Sequence, residues 1–280
     1  MEYFAIKSLN EALKALRKWK DQATLIAGGT NVIPNLRAKS IQPQVLIDIS
    51  HLKNLSYVKE EKRRIRIGGL TPITELASYK IIRKVAPILS EAADQLGNPL
   101  VRNRATIAGN LVHASPAADT AVPLLALEAT VILARDGKPR QIPMDQFFRG
   151  VNQTVLRVDE IIKEISFQKP NSDTRMSYNK LGRRNAMAIS VVSIAVLLEE
   201  ENGKCKKARI SLGAVAPRPV RAYGVEEILE GKEVTEILIE SCCEHIQREI
   251  NPINDIRASA EYRRAMASVL LRRLIQEVTQ

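Results

Sequence analysis

The sequence predicts an α+β protein built of two domains, and three observations carry that expectation. The first half alternates short apolar, strand-like runs with helical patterns. The second half pairs two long strand-like runs across Glu200-Glu201-Asn202-Gly203 and ends in three helical patterns. Between the halves, Lys169-Pro170-Asn171-Ser172-Asp173 is polar and carries a proline, as a linker does. The expected division is 1–170, with subdomains of about 1–55 and 56–170, then a smaller domain over 175–280. At 280 residues, 45% of them hydrophobic, the chain can bury a large core in one unit or two modest domains.

Taken in order, Ser8 and Glu11 have capping-box spacing, and Leu9, Ala12, Leu13, Leu16 and Trp19 continue at helical spacing. A strand at Thr24 to Ile26, a helix or turn at Ile33 to Ala38 and a strand at Val45 to Ile49 follow. Alternation resumes with a strand at Ile65 to Gly68 and a helix at Ile73 to Tyr79, capped by Thr71. A second helix runs from Pro87 to Leu96 and stops at Gly97. Asp119 to Leu127 reads as a helix with Asp119 and Thr120 at its start, and Ala129 to Leu133 as a strand. Asp136-Gly137 then turns the chain into Gln141 to Pro143. In the second domain, strands at Ala188 to Leu198 and Ala208 to Ala216 precede helices at Val225 to Leu229, Ile237 to Arg248 and Ala258 to Val278.

Several function classes drop out. No stretch approaches the roughly 18 apolar residues of a membrane span, and the N-terminus lacks a signal pattern, so the expectation is a cytoplasmic protein. Cys205, Cys242 and Cys243 lack the paired spacing of metal and cluster sites, and His51, His113 and His245 lie far apart, so no metal is expected. The net charge of +11 raises the question of nucleic acid, but the basic residues are scattered in pairs and triplets. Aromatics at 4% offer no stacking platform for single strands.

Two small-residue stretches stand apart. Ala27-Gly28-Gly29-Thr30-Asn31 follows the first apolar strand, and Thr106-Ile107-Ala108-Gly109-Asn110 leads into Ala114-Ser115-Pro116-Ala117-Ala118-Asp119. Residues with little side chain let backbone N–H groups approach anionic oxygens, and two such turns suit a pyrophosphate. Either turn alone equally fits a chain reversal that needs positive φ. The glycine triplet of a Rossmann domain and the Gly-Lys-Ser/Thr end of a P-loop are both missing.

These two stretches, with Leu212-Gly213-Ala214-Val215-Ala216-Pro217 and the segment from Asp255 to Arg264, give the chain a resemblance along nearly its whole length. It resembles the FAD-binding medium subunit of the molybdenum hydroxylases, the family of xanthine dehydrogenase and aerobic carbon monoxide dehydrogenase. The resemblance implies a two-subdomain FAD-binding domain of the PCMH type, followed by a C-terminal flavoprotein domain. It implies FAD held between Leu25-Ile26-Ala27-Gly28-Gly29-Thr30-Asn31-Val32 on one side and Thr106 to Asn110 on the other, with Asp119 as an acidic contact. Leu96 and Ile162 match apolar contacts, which would equally serve as plain core. Lys180 matches a lysine that reaches the flavin from the second domain, and would otherwise be a solvated hairpin residue.

At position 108 the family pattern has glycine, and this chain has alanine; if positive φ were required there, alanine would cost on the order of 1 kcal/mol. No general base or nucleophile stands out, and none is needed where a flavin carries the chemistry. The implied partners are a molybdenum-cofactor subunit, an iron–sulfur subunit and a soluble acceptor: NAD, a quinone or oxygen. A stand-alone FAD-dependent oxidase, a nucleic-acid-binding module and a cofactor-free scaffold remain as alternatives.

Overall fold

Among the described residues three main sheets stand in chain order, each with its own helices, and a two-stranded ribbon accompanies the second. The computed structural model describes residues 1–137 and 139–280. The first sheet contains β1 (Glu2–Ala5), β2 (Ala23–Ile26) and β3 (Val45–Asp48), with α1 (Leu9–Trp19) between β1 and β2 and α2 (Val32–Arg37) between β2 and β3. The strand order is β1-β3-β2, and both pairings are parallel. Ser8 caps α1 by accepting the Glu11 N–H at 3.2 Å. Glu11 reaches back to the N–H of Lys7 at 2.8 Å, one residue earlier than in a standard capping box. The buried face of α1, Ala12, Leu13 and Leu16, packs on Val45, Ile47 and Ile49. Parallel strands need such helical crossovers, and the crossovers leave the carboxyl ends of the strands free to form loops.

The second unit begins with the hairpin of β4 (Val58–Glu61) and β5 (Arg64–Gly68). A run of helices follows: α3 (Ile73–Ser78), α4 (Lys80–Val85), α5 (Pro87–Asp94), α6 (Pro99–Arg102), α7 (Ile107–His113) and α8 (Ala121–Ala126). The chain then returns through β6 (Thr130–Ala134), β7 (Arg140–Pro143), the small pair β8 (Phe148–Gly150) and β9 (Gln153–Thr154), and β10 (Ile161–Gln168). The five-stranded order is β4-β5-β10-β6-β7, antiparallel throughout. Ile65, Ile67, Val131, Leu133, Ile165 and Phe167 are buried in the same core as the helices.

The third unit is a meander of β11 (Arg175–Leu181), β12 (Val192–Glu201), β13 (Lys204–Gly213) and β14 (Val220–Arg221), in that order. The hairpin expected at Glu200 to Gly203 is present, with the strands running further than the sequence suggests, to Glu201 and from Lys204, so that Asn202 and Gly203, both at positive φ, form a two-residue turn. Helices α9 (Tyr223–Leu229), α10 (Glu236–Glu249) and α11 (Ala260–Thr279) cover one face, where Ile194, Val196, Ile210 and Leu212 meet Ile246, Leu271 and Ile275. The opposite face carries Tyr178, Ala195 and Leu197, which join the core of the second unit. The sheet is therefore buried on both sides, and alternate residues of one strand serve two cores.

Several details differ from the sequence reading. Strands β1 and β4 escape it because all four residues of β1 are exposed and only Val58 of β4 is buried, leaving no period-two apolar pattern. Thr71 does not cap α3; Pro72 holds that position, and the Thr71 hydroxyl accepts from the Tyr57 N–H and donates to the Tyr57 carbonyl. Neither Asp119 nor Thr120 caps α8 with a side chain; Thr120 donates instead to Asn110 Oδ1 at 2.6 Å. Residues 106–110 are not a turn: Thr106 caps α7 and the rest form its first turn.

Candidate functional site: a cleft at the carboxyl edge of the parallel sheet

Where β2 ends, the chain meets the second unit and leaves a cleft of about 420 Å³. Its first wall is Leu25 and Ala27 to Val32. The wall opposite is one side of α7: Thr106, Ala108 and Gly109, then Val112 and His113 one turn further on. Leu156 to Val158 and Glu160 to Ile162, entering β10, complete it, with Leu16, Ile49 and Leu70 adding apolar surface.

The first wall is shaped by its glycines. A Cβ on Gly28 would lie 1.7 Å from the Arg104 carbonyl oxygen, so only glycine lets this loop pass the segment before α7. Gly29 sits at φ +75°, which side chains rarely adopt. The loop leaves five consecutive N–H groups, Gly28 to Val32, with no intramolecular acceptor among the described residues. Such a run of open donors at the carboxyl edge of a parallel sheet is a cradle for anionic oxygens.

The second wall differs from expectation in one respect that matters. Its backbone donors are engaged: Ile107 with the Thr71 carbonyl at 3.0 Å, Ala108 with the Gly69 carbonyl at 3.0 Å, Gly109 with Thr106 Oγ1 at 3.1 Å and Asn110 with the Thr106 carbonyl at 3.0 Å. A second set of N–H donors is therefore corrected to a smooth helix face, with the Thr106 hydroxyl proton still free to donate. Ala108 is helical and not at positive φ, so alanine carries no strain where the family pattern has glycine. A Cβ on Gly109 would meet only Thr106 Oγ1, at 3.0 Å, so larger side chains there would grow into the cleft. Thr106→Ala removes the cap and is predicted to destabilise the chain by about 1 kcal/mol in denaturant unfolding, without loss of the fold.

Not every expected site residue lines the cleft. Ile26, Leu96, Ile107, Asn110, Asp119 and Lys180 do not, whereas Ile162 does. Lys180 is clamped: its side chain is 4% exposed, it pairs with Asp119 Oδ1 at 2.8 Å and it donates to the Gln95 carbonyl at 3.0 Å. Ser190 donates to the same Asp119 oxygen at 3.3 Å. Burial pushes the Asp119 carboxyl above its ordinary range, against the opposing pull of Lys180. These residues form a buried tie between the second and third units, next to Leu96.

Among the cleft residues that the sequence did not flag, Glu160 is held by a charge network. Glu160, its side chain fully buried, accepts from Arg140 through both oxygens, at 3.0 and 2.7 Å, and from the Arg157 N–H at 2.9 Å. Burial lowers the His113 pKa, so the imidazole is neutral at physiological pH. His113, the one histidine that the sequence places near the second small-residue stretch, does line the cleft; Arg157 and Glu160 carry no local motif. Among the described residues, no cluster of three or more His, Cys, Asp or Glu is placed to hold a metal, and no helix is long and apolar enough to cross a membrane.

A parallel-sheet edge with open N–H groups beside a largely apolar cleft suits a ligand that carries anionic oxygens at one end and apolar surface at the other. Comparison with known proteins says which. Residues 1–170 match the family described as the FAD binding domain in molybdopterin dehydrogenase, and residues 176–278 match the CO dehydrogenase flavoprotein C-terminal domain. The carbon monoxide dehydrogenase medium chain of Hydrogenophaga pseudoflava is 32% identical over 98% of this chain and 95% of its own. The glyceraldehyde dehydrogenase medium chain of Sulfolobus acidocaldarius is 32% identical over 99% and 97%. A solved structure of the H. pseudoflava carbon monoxide dehydrogenase superposes with a TM-score of 0.96, covering 99% of this chain and 96% of that one. The chain belongs to the FAD-binding medium subunits of the molybdenum hydroxylases.

Proposed function

We propose that the cleft is where this subunit holds FAD, with the diphosphate on the open N–H groups of Gly28 to Val32. The observation that carries this reading is that the five residues with unpartnered N–H donors line a largely apolar cleft. Leu25, Ala27, Thr106, Ala108, Gly109 and Ile162 enclose the cofactor. Ile26, Ile107 and Asn110 support those walls from behind, and Leu96, Asp119 and Lys180 fix the third unit against them. Bound FAD supplies the electron and hydride chemistry; the chain binds it, orients it and shields it from water.

The natural setting is a cytoplasmic complex in which an iron–sulfur subunit delivers electrons from a molybdenum-cofactor subunit, and the flavin passes them to NAD, a quinone or oxygen. The free thiols of Cys205, Cys242 and Cys243 accord with a reducing compartment and number fewer than the four thiolates that hold a cluster. The partition into 1–170 and 175–280 fits this role, because the cleft lies wholly within the first part.

The test is reconstitution. The FAD-loaded chain is predicted to be reduced by dithionite, yet to turn over no purine, aldehyde, N-heterocycle or carbon monoxide until cluster and molybdenum subunits are added. Turnover of such a substrate by the purified chain alone would replace this reading with a stand-alone oxidase.

A further inference from the structure

The diphosphate of FAD carries two negative charges, and the loop that receives it offers only neutral donors. A desolvated dianion gains from a nearby positive charge. Lys180 does not supply it, because Asp119 and the Gln95 carbonyl hold it outside the cleft. His113 lines the cleft but is kept neutral by burial. Arg157 is the one Lys or Arg among the lining residues.

Arg157 is also unengaged. The two acids that follow it are taken by other arginines: Asp159 pairs with Arg135 at 2.8 Å, and Glu160 is held by Arg140. No carboxylate among the described residues forms an ion pair with Arg157, whose side chain makes no intramolecular hydrogen bond. Its backbone is fixed nonetheless, since its N–H donates to the buried Glu160 at 2.9 Å. A rigid attachment with a free guanidinium is what a ligand contact requires.

We propose that Arg157, which lines the same cleft as the Gly28 to Val32 cradle, is the counter-charge to the FAD diphosphate. This rests on the reading of the cleft as the FAD site. Arg135 and Arg140 have the complementary task of occupying Asp159 and Glu160, which leaves Arg157 free for an anion.

The experiment titrates the cofactor-stripped 280-residue chain with FAD, ADP and riboflavin, following flavin fluorescence for the two flavins and displacement of FAD for ADP, at low and high salt. R157Q is expected to weaken FAD and ADP about tenfold or more and to flatten the salt dependence of both. Riboflavin, which has no phosphate, is expected to bind R157Q as it binds wild type, and R157K to recover part of the loss. Because Arg157 is exposed and forms no side-chain bond within the chain, R157Q retains the wild-type unfolding midpoint. Equal FAD affinity and equal salt dependence in wild type and R157Q would overturn the assignment of Arg157 alone. Equal weakening of riboflavin would reduce Arg157 to a wall residue and also overturn it. A wild-type chain that binds neither FAD nor ADP would overturn the cleft reading itself.

Discussion

Gly28→Ala is expected to abolish FAD binding at concentrations that saturate the wild-type chain, and to lower stability by about 1 to 3 kcal/mol. The added Cβ would lie 1.7 Å from a backbone carbonyl oxygen, that of Arg104, which cannot rotate away as a side-chain tip would. Either the loop or the segment before α7 has to move. The five N–H groups then shift from their places beside the cleft, and hydrogen bonds to charged groups are each worth about 1.5 to 3 kcal/mol. Gly29→Val is expected to have a similar effect on FAD by another route: a β-branched residue strongly resists φ +75°, and its Cβ would press on Ile33 at 3.2 Å. Gly231→Ala is the control. It lies at φ +77° with nothing near its Cβ, so it carries the backbone penalty without touching the cleft. Stability measured by denaturant unfolding and FAD affinity measured by fluorescence separate the two effects. Wild-type affinity in both loop variants would remove the cradle from the account.

The second large effect concerns the tie between units. Lys180→Met is predicted to destabilise the chain by about 3 to 5 kcal/mol at neutral pH, because it leaves the Asp119 carboxylate buried and unpaired. The sign of the pH dependence follows from Asp119, whose folded pKa is already raised by burial and rises further once the lysine is gone. Between the unfolded and folded pKa values the folded chain binds more protons, so stability falls as pH rises through that window. The Lys180→Met defect should therefore be smallest in mild acid, below the unfolded carboxylate pKa, and reach its full size above the folded one. A double variant, Lys180→Met with Asp119→Leu, should recover most of the loss, since two apolar groups can replace a buried pair at little net cost. Urea unfolding across pH reads all three variants. A Lys180→Met chain as stable as wild type at neutral pH would mean that the pair is solvated, not buried.

Local chemistry made much of this legible in the sequence. The Ser8 cap, the Asn202-Gly203 turn and the long helices near the C-terminus are set by residues close together in the chain, and the loop after β2 shows its glycines even though Gly28 is required by the distant Arg104 carbonyl. What was not legible depends on distant partners. The Thr106 to Asn110 segment looks like an open loop until Gly69 and Thr71 are seen to take its N–H groups. Lys180 looks free until Asp119 is brought to it, and Arg157 looks ordinary until its neighbouring acids are found paired with Arg135 and Arg140. Ala108 and Gly109 of the second stretch point to close packing; whether a backbone or a ligand does the packing is decided by the tertiary fold.

The most direct test of the cofactor site is whether FAD leaves a desalting column with the chain, and whether the Gly28 to Val32 loop decides it. Wild type incubated with FAD should elute yellow, with about one flavin per chain, while Gly28→Ala elutes colourless with the circular dichroism of a folded protein. A wild-type chain that emerges without flavin, or a folded Gly28→Ala chain that retains it, would contradict the account.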